Sequence, residues 1–107
     1  MNLFDIYLAY MVFDDGTGGR ARPVLIMDLE DDLAAVYNVT SQYENKSEFI
    51  RSKYYPIKDW KQAGLDKQSY VDTVKARYLP QKSLDGKIPI GAMTEADKIG
   101  LIEFLTA

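Results

Sequence analysis

Three strand-like runs follow one another in the first forty residues, and this succession limits the chain to a fold built on a meander. Residues 4–13 are rich in aromatic and β-branched types. Residues 22–29 and 33–40 have the same character, and the connection between them is the acidic Glu30-Asp31-Asp32. The first connection, Asp14-Asp15-Gly16-Thr17-Gly18-Gly19, has the composition of a turn or mobile loop. Connections this short favour antiparallel neighbours. The spacing therefore predicts a consecutive three-stranded antiparallel sheet.

Beyond residue 40 the pieces are shorter. Residues 41–50 are polar and read as loop. Residues 52–57 read as a strand ending at Pro56, 58–63 as a helical turn stopped by Gly64, and 69–73 as a strand. Residues 74–80 continue in extended form, and 87–90 read as an edge strand because of Pro89. Thr94 is placed to cap a C-terminal helix, with Glu95 and Asp97 complementing its positive end. Ile99, Ile102 and Leu105, with Leu101, form an apolar stripe at helical spacing. The fold class expected is mostly β (α+β): a small, strongly bent barrel of short antiparallel strands with a C-terminal helix, in one domain spanning residues 1–107.

Composition narrows the chemistry. The chain has no cysteine and no histidine. Disulfides, thiolate nucleophiles and the commonest general base and metal ligand are thereby excluded. No carboxylate pattern reads as a metal site: Asp14-Asp15 and Asp31-Asp32 fall in turn-like segments. No cofactor is expected. No apolar run is long enough to span a bilayer, and Asp5 interrupts the first apolar stretch, so neither a signal peptide nor a membrane partner is expected, and cytoplasmic residence is.

The formal net charge of −3 is unevenly distributed. Residues 1–40 hold seven acidic and two basic residues, whereas residues 41–90 hold ten basic and six acidic. The middle segment, with Arg20 and Arg22, supplies a local basic surface for a polyanion.

Arg22 is the first candidate site residue. It precedes Pro23 at the entry of the second strand, behind a glycine-rich loop, and its guanidinium suits a phosphate. Thr40 and Ser41 end the third strand, where a hydroxyl can bind a phosphate oxygen. In a hairpin turning at residues 30–32, the start of one strand and the end of the other share one end of the sheet. Arg22 and Thr40 then become neighbours. Lys75 and Arg77 alternate along an extended segment, as do Arg51 and Lys53. With Arg20, these are candidates for contact to a nucleic-acid backbone. Tyr43, Tyr54, Tyr55, Tyr70 and Tyr78 offer faces for unpaired bases, or for packing.

Several segments, taken in order, resemble the MazF/PemK (Kid-like) toxins of bacterial toxin–antitoxin systems. They are Asp5-Ile6-Tyr7, Gly18-Gly19 followed by Arg22-Pro23-Val24-Leu25-Ile26, Val39-Thr40-Ser41, Gly64-Leu65-Asp66 with Ser69-Tyr70-Val71-Asp72, and Leu84 with Gly86-Lys87-Ile88 before the final helix. The resemblance implies an SH3-like barrel, a homodimer and metal-independent cleavage of single-stranded RNA, leaving a 2′,3′-cyclic phosphate and a 5′-hydroxyl. It implies catalytic roles for Arg22 and Thr40. Arg20, Ser41, Lys53, Lys75 and Arg77 are the expected substrate-binding residues. The implied partners are single-stranded RNA and a cognate antitoxin protein, with DNA reached indirectly through the toxin–antitoxin complex. The chain departs from the family pattern at Phe4, where glycine is common, in its short first loop, and at Lys75. Two alternatives stand beside this reading. One is a CcdB-like toxin that binds DNA gyrase without catalysis, although residues 101–107 lack the tryptophan such tails carry. The other is a barrel that binds antitoxin without cutting RNA.

Overall fold

The computed structural model describes residues 1–107. The strands are β1 (Asp5–Val12), β2 (Gly19–Glu30), β3 (Leu33–Thr40), β4 (Tyr54–Pro56), β5 (Tyr70–Pro80) and β6 (Gly91–Ala92). A short helix α1 (Glu48–Ser52) precedes β4, and the helix α2 (Glu95–Thr106) ends the chain. The six strands form one antiparallel sheet in the order β4-β5-β3-β2-β1-β6. The expected meander is its centre. β1 meets β2 from Ile6↔Leu25 to Val12↔Gly19, and β2 meets β3 from Val24↔Asn38 to Glu30↔Leu33.

The sheet is curled and both its faces carry core. One cluster holds Ile6, Leu25, Val39, Tyr55, Ile57, Val71 and Leu101. The other holds Tyr7, Ala9, Met11, Val24, Ile26, Val36 and Leu84. Strand alternation produces this split, because successive side chains on a strand point to opposite faces. Two edges, β4 and β6, remain open in the strand order. The turn segment after β4 closes the gap: a Cβ on Gly91 would collide with the carbonyl of Ala63, and one on Gly64 with that of Ile90.

Several sequence expectations change. β2 begins three residues earlier than its apolar run, because Gly19, Arg20 and Ala21 pair with Val12, Met11 and Tyr10. The polar stretch expected as loop contains the start of α1, which is capped by the Ser47 side chain accepting from the Ile50 N–H. The strand expected at 87–90 does not form; pairing with β1 begins at Gly91.

The helix α2 starts where expected, with the Thr94 hydroxyl accepting from the Asp97 N–H, but it turns a different face inward. Ile99, Ile102 and Leu105 are 57%, 50% and 40% exposed, while Leu101 and Asp97 are fully buried. Asp97 accepts hydrogen bonds from the Tyr55 hydroxyl (2.7 Å) and from the N–H groups of Lys58 (3.1 Å) and Asp59 (2.8 Å). A buried carboxylate satisfied by three donors replaces an apolar residue as the helix's anchor. Gly100 lies directly against the Tyr55 hydroxyl, so a side chain there would push the helix off the sheet. Burial and the bond to Asp97 hold the Tyr55 phenol well above its ordinary pKa.

Candidate active site

Arg22 stands where the second core cluster reaches solvent. It pairs with Ala9 across β1–β2, and its side chain lies between two small cavities. The β2–β3 pairing ends at Val24↔Asn38, and Arg22 and Thr40 each lie two residues beyond that end.

The first cavity, about 190 Å³, is lined by Arg20, Arg22, Thr40, Ser41, Lys67 and Ser69 among others. The hairpin argument thus places its two residues in one concave site, and Arg20 and Ser41 join them. The Thr40 hydroxyl accepts from the Gln42 N–H at 3.1 Å. Its own proton has no acceptor in the protein and is free to donate outward. This combination, a turn-stabilising acceptor and an unused donor, lets Thr40 be both rigid and available.

The second cavity, about 160 Å³, is lined by Met11, Val12, Phe13, Asp14, Arg22, Asn38 and Arg77. Asn38 is only 7% exposed, yet its Oδ1 has no hydrogen-bond partner, and neither does Nε of Arg77. The other end of the Arg77 guanidinium is bound to Asp14: Nη1 meets Oδ1, and Nη2 meets Oδ2 at 3.3 Å. Lys75 approaches the same carboxylate at 3.9 Å. A bulge brings the two basic residues there. Between the pairs Val36↔Arg77 and Asn38↔Asp72, β3 has the single residue Tyr37 while β5 has Thr73 to Ala76.

The electrostatics follow from this crowding. Burial, followed by the charges of Arg20 and Arg77, lowers the Arg22 pKa, and Asp72 and Tyr54 oppose the shift. Arg22 nonetheless remains a cation at neutral pH. The hydrogen bond and charge of Asp14 raise Arg77, and the same contact holds Asp14 below the usual carboxylate range. Three guanidinium groups converge here with a shortage of counter-charge.

Lys53 does not share either cavity. It lies beside Phe49, Thr73, Val74 and Phe104, in a separate groove against α2, with its ammonium over the Phe49 ring. Arg51 likewise turns to the ring of Tyr43. Tyr43 stacks on Tyr70 at 4.4 Å between centroids, and Tyr70 pairs with Thr40 across β3–β5. The aromatic group therefore borders the Thr40 end, mainly packed on itself. Asn38 and Asp14 escaped the sequence reading as site residues. Alternation did signal Asn38, a polar residue in the run Ala34–Val39 on the same face as Val36 and Thr40. No sequence signal linked Asp14 to Arg77, sixty-three residues away. No group of three carboxylates is placed to hold a metal ion.

A curled antiparallel sheet of this strand order, closed by a C-terminal helix, defines a MazF-like fold. The solved structure of Mycobacterium tuberculosis toxin MazF-mt6 matches this chain with a TM-score of 0.67 at 22% identity, covering 94% of this chain and 91% of that one. No protein-family model and no curated protein sequence matches the chain.

Proposed function

We propose that this protein is the toxin of a toxin–antitoxin pair and an endoribonuclease that cuts single-stranded RNA without a metal. One observation carries the reading: Arg22 and Thr40 line one open cavity in a MazF-like fold, with Arg20 and Ser41 beside them. RNA supplies its own nucleophile, which suits a chain lacking histidine and cysteine. The 2′-hydroxyl gives its proton to water and attacks the adjacent phosphorus. The P–O5′ bond breaks, the 5′-oxygen takes a proton from water, and a 2′,3′-cyclic phosphate remains. Arg22 holds the negative charge that grows on the phosphoryl oxygens, and the unused Thr40 proton is donated to one of them. The Arg22 guanidinium keeps its proton, so its role is electrostatic.

Partners follow from the same reading. Exposed Leu8, Tyr10 and Val12 form an apolar strip along β1, and a second copy covering it would make the homodimer. The antitoxin would be an acidic segment drawn to the arginine cluster. The toxin would act in the cytoplasm; no helix is long and apolar enough to cross a membrane.

The test is cleavage of a long RNA with detection of cyclic-phosphate ends. Arg22→Ala and Thr40→Ala should each lower the rate by about 10²–10³-fold, as loss of one preorganised donor does, with the fold intact. Undiminished cleavage by both variants overturns the assignment.

A further inference from the structure

The proposed chemistry uses the cavity holding Thr40 and leaves its neighbour across Arg22 unexplained. That neighbour has the marks of a built ligand seat. Asn38, more than nine-tenths buried, lines it with an amide oxygen that has no partner, and Arg77 Nε is likewise buried without a partner. Such groups are costly to leave unmatched inside a fold, and each needs an explanation. Arg22 lines both cavities. A nucleic-acid strand whose scissile phosphate sat between Arg22 and Thr40 would have its next nucleotide within reach of Asn38 and Arg77.

The seat already has an anionic occupant. Asp14, on the exposed connection between β1 and β2, presents both carboxylate oxygens to the Arg77 fork and draws in Lys75. A two-oxygen anion in the plane of a guanidinium is also how a phosphate is held. The contact is solvent-exposed on the Asp14 side, and exposed ion pairs contribute little to stability. A competing phosphate can therefore displace the carboxylate at small cost.

We propose that the cavity bounded by Arg22, Asn38 and Arg77 is a second nucleotide seat, adjacent to the scissile phosphate, and that Asp14 is its built-in competitor, a carboxylate that occupies the phosphate position until nucleic acid displaces it. This deepens the ribonuclease reading and rests on it for the choice of ligand. Asn38 and Arg77 are then substrate-binding residues, and Asp14 sets how readily the seat accepts a strand.

The experiment uses the full chain and a short randomised single-stranded oligodeoxynucleotide, which lacks the 2′-hydroxyl and cannot be cut. Binding is measured across a salt series for the parent chain, Asp14→Asn and Asp15→Asn. Asp15 is the charge control: it lies on the same connection, but its carboxylate bonds only Thr17. The expected result is several-fold tighter binding by Asp14→Asn. Its log–log salt slope should stay close to the parent's, because the strand makes the same phosphate contacts once the carboxylate is displaced. Asp15→Asn should match the parent, and Arg77→Ala and Asn38→Ala should both weaken binding. Equal gains for the two neutralised aspartates would reduce the effect to net charge and overturn the proposal. So would a gain, specific to Asp14→Asn, in binding a polyglutamate peptide but not the oligonucleotide, which would give the seat to an acidic protein segment. RNA cleavage is followed in parallel. If the parent cuts RNA and Asp14→Asn behaves as Asp15→Asn does, this proposal alone fails. If the Asp14-specific gain appears and no RNA is cut, the seat stands and the ribonuclease reading fails. If the parent neither binds nor cuts, both fall.

Discussion

Asp97 and Asp14 both tie together segments far apart in sequence, but the fold treats the two carboxylates differently. Asp97 is fully buried and meets only neutral donors: a tyrosine hydroxyl and two backbone N–H groups. Asp14 is exposed and meets two cations. The first arrangement depends on geometry, because every donor is fixed by β4 or by the turn that follows it. Water and salt cannot substitute for it. The second depends on charge, so solvent ions or another anion can replace it. Around Asp97 the named donors are matched; around Asp14 two buried polar atoms are not. The difference separates scaffold from site, and it can be attacked at either end.

The largest effect belongs to the scaffold. Asp97→Ala strips the acceptor from three donors in one step and leaves a gap beneath α2. Each buried unmatched group costs about 1–3 kcal/mol, so the total loss should be roughly 3–5 kcal/mol, read from the urea midpoint. Asp97→Asn keeps one acceptor oxygen and should lose about half as much. RNA cleavage per folded molecule should not change. A loss under about 1 kcal/mol would show that Asp97 anchors nothing, and the comparison would break.

The same contrast explains what the sequence made legible. Strands β1 to β3 and the meander were readable because the signals are local: apolar runs, turn residues and short connections. The meeting of Arg22 with Thr40 was readable for the same reason, since a hairpin converts spacing directly into position. The inward face of α2 was not readable. Ile99, Ile102 and Leu105 have the periodicity of a buried stripe, and an aspartate does not suggest burial. Its polarity is offset by partners about forty residues upstream, on β4 and in the turn after it, whose positions only the folded sheet defines. Arg77 is a similar case. Alternation put it on a face with Lys75, but its meeting with Asp14 and Asn38 depends on the bulge at Thr73 to Ala76, for which the sequence has no distinct mark. Lys53 followed its charge in the sequence reading, whereas in the fold it follows its place after α1, beside a different groove.

The site end should respond with the opposite sign. Asn38 is buried with an unmatched oxygen, in line with Val36 on the face of the second core cluster. Replacing it with a similarly sized apolar side chain removes that cost. Asn38→Leu should gain about 1 kcal/mol of stability while losing binding to single strands. Polarity kept against stability at one position, and for stability at Asp97, is the sharpest form of the contrast. Destabilisation by Asn38→Leu would mean that the amide is a structural member after all.

The smallest effect tests whether the Asp14 contact is as exchangeable as its exposure implies. Arg77 holds the Asp14 carboxyl below the usual range, so its folded-state pKa is lower than its unfolded one. Its contribution to stability is therefore complete above the unfolded value of about 3.9, fades as pH falls through the folded value, and is absent below both. The melting temperature of the parent chain should exceed that of Asp14→Asn by a small, constant margin above about pH 5 and converge with it in stronger acid. Added salt should shrink the margin at neutral pH, because the pair is open to solvent. A margin that persists unchanged through acid and salt would place Asp14 with Asp97, as a fixed part of the scaffold. One that vanishes in both leaves it as a carboxylate held only by charge, which is the property a displaceable competitor requires.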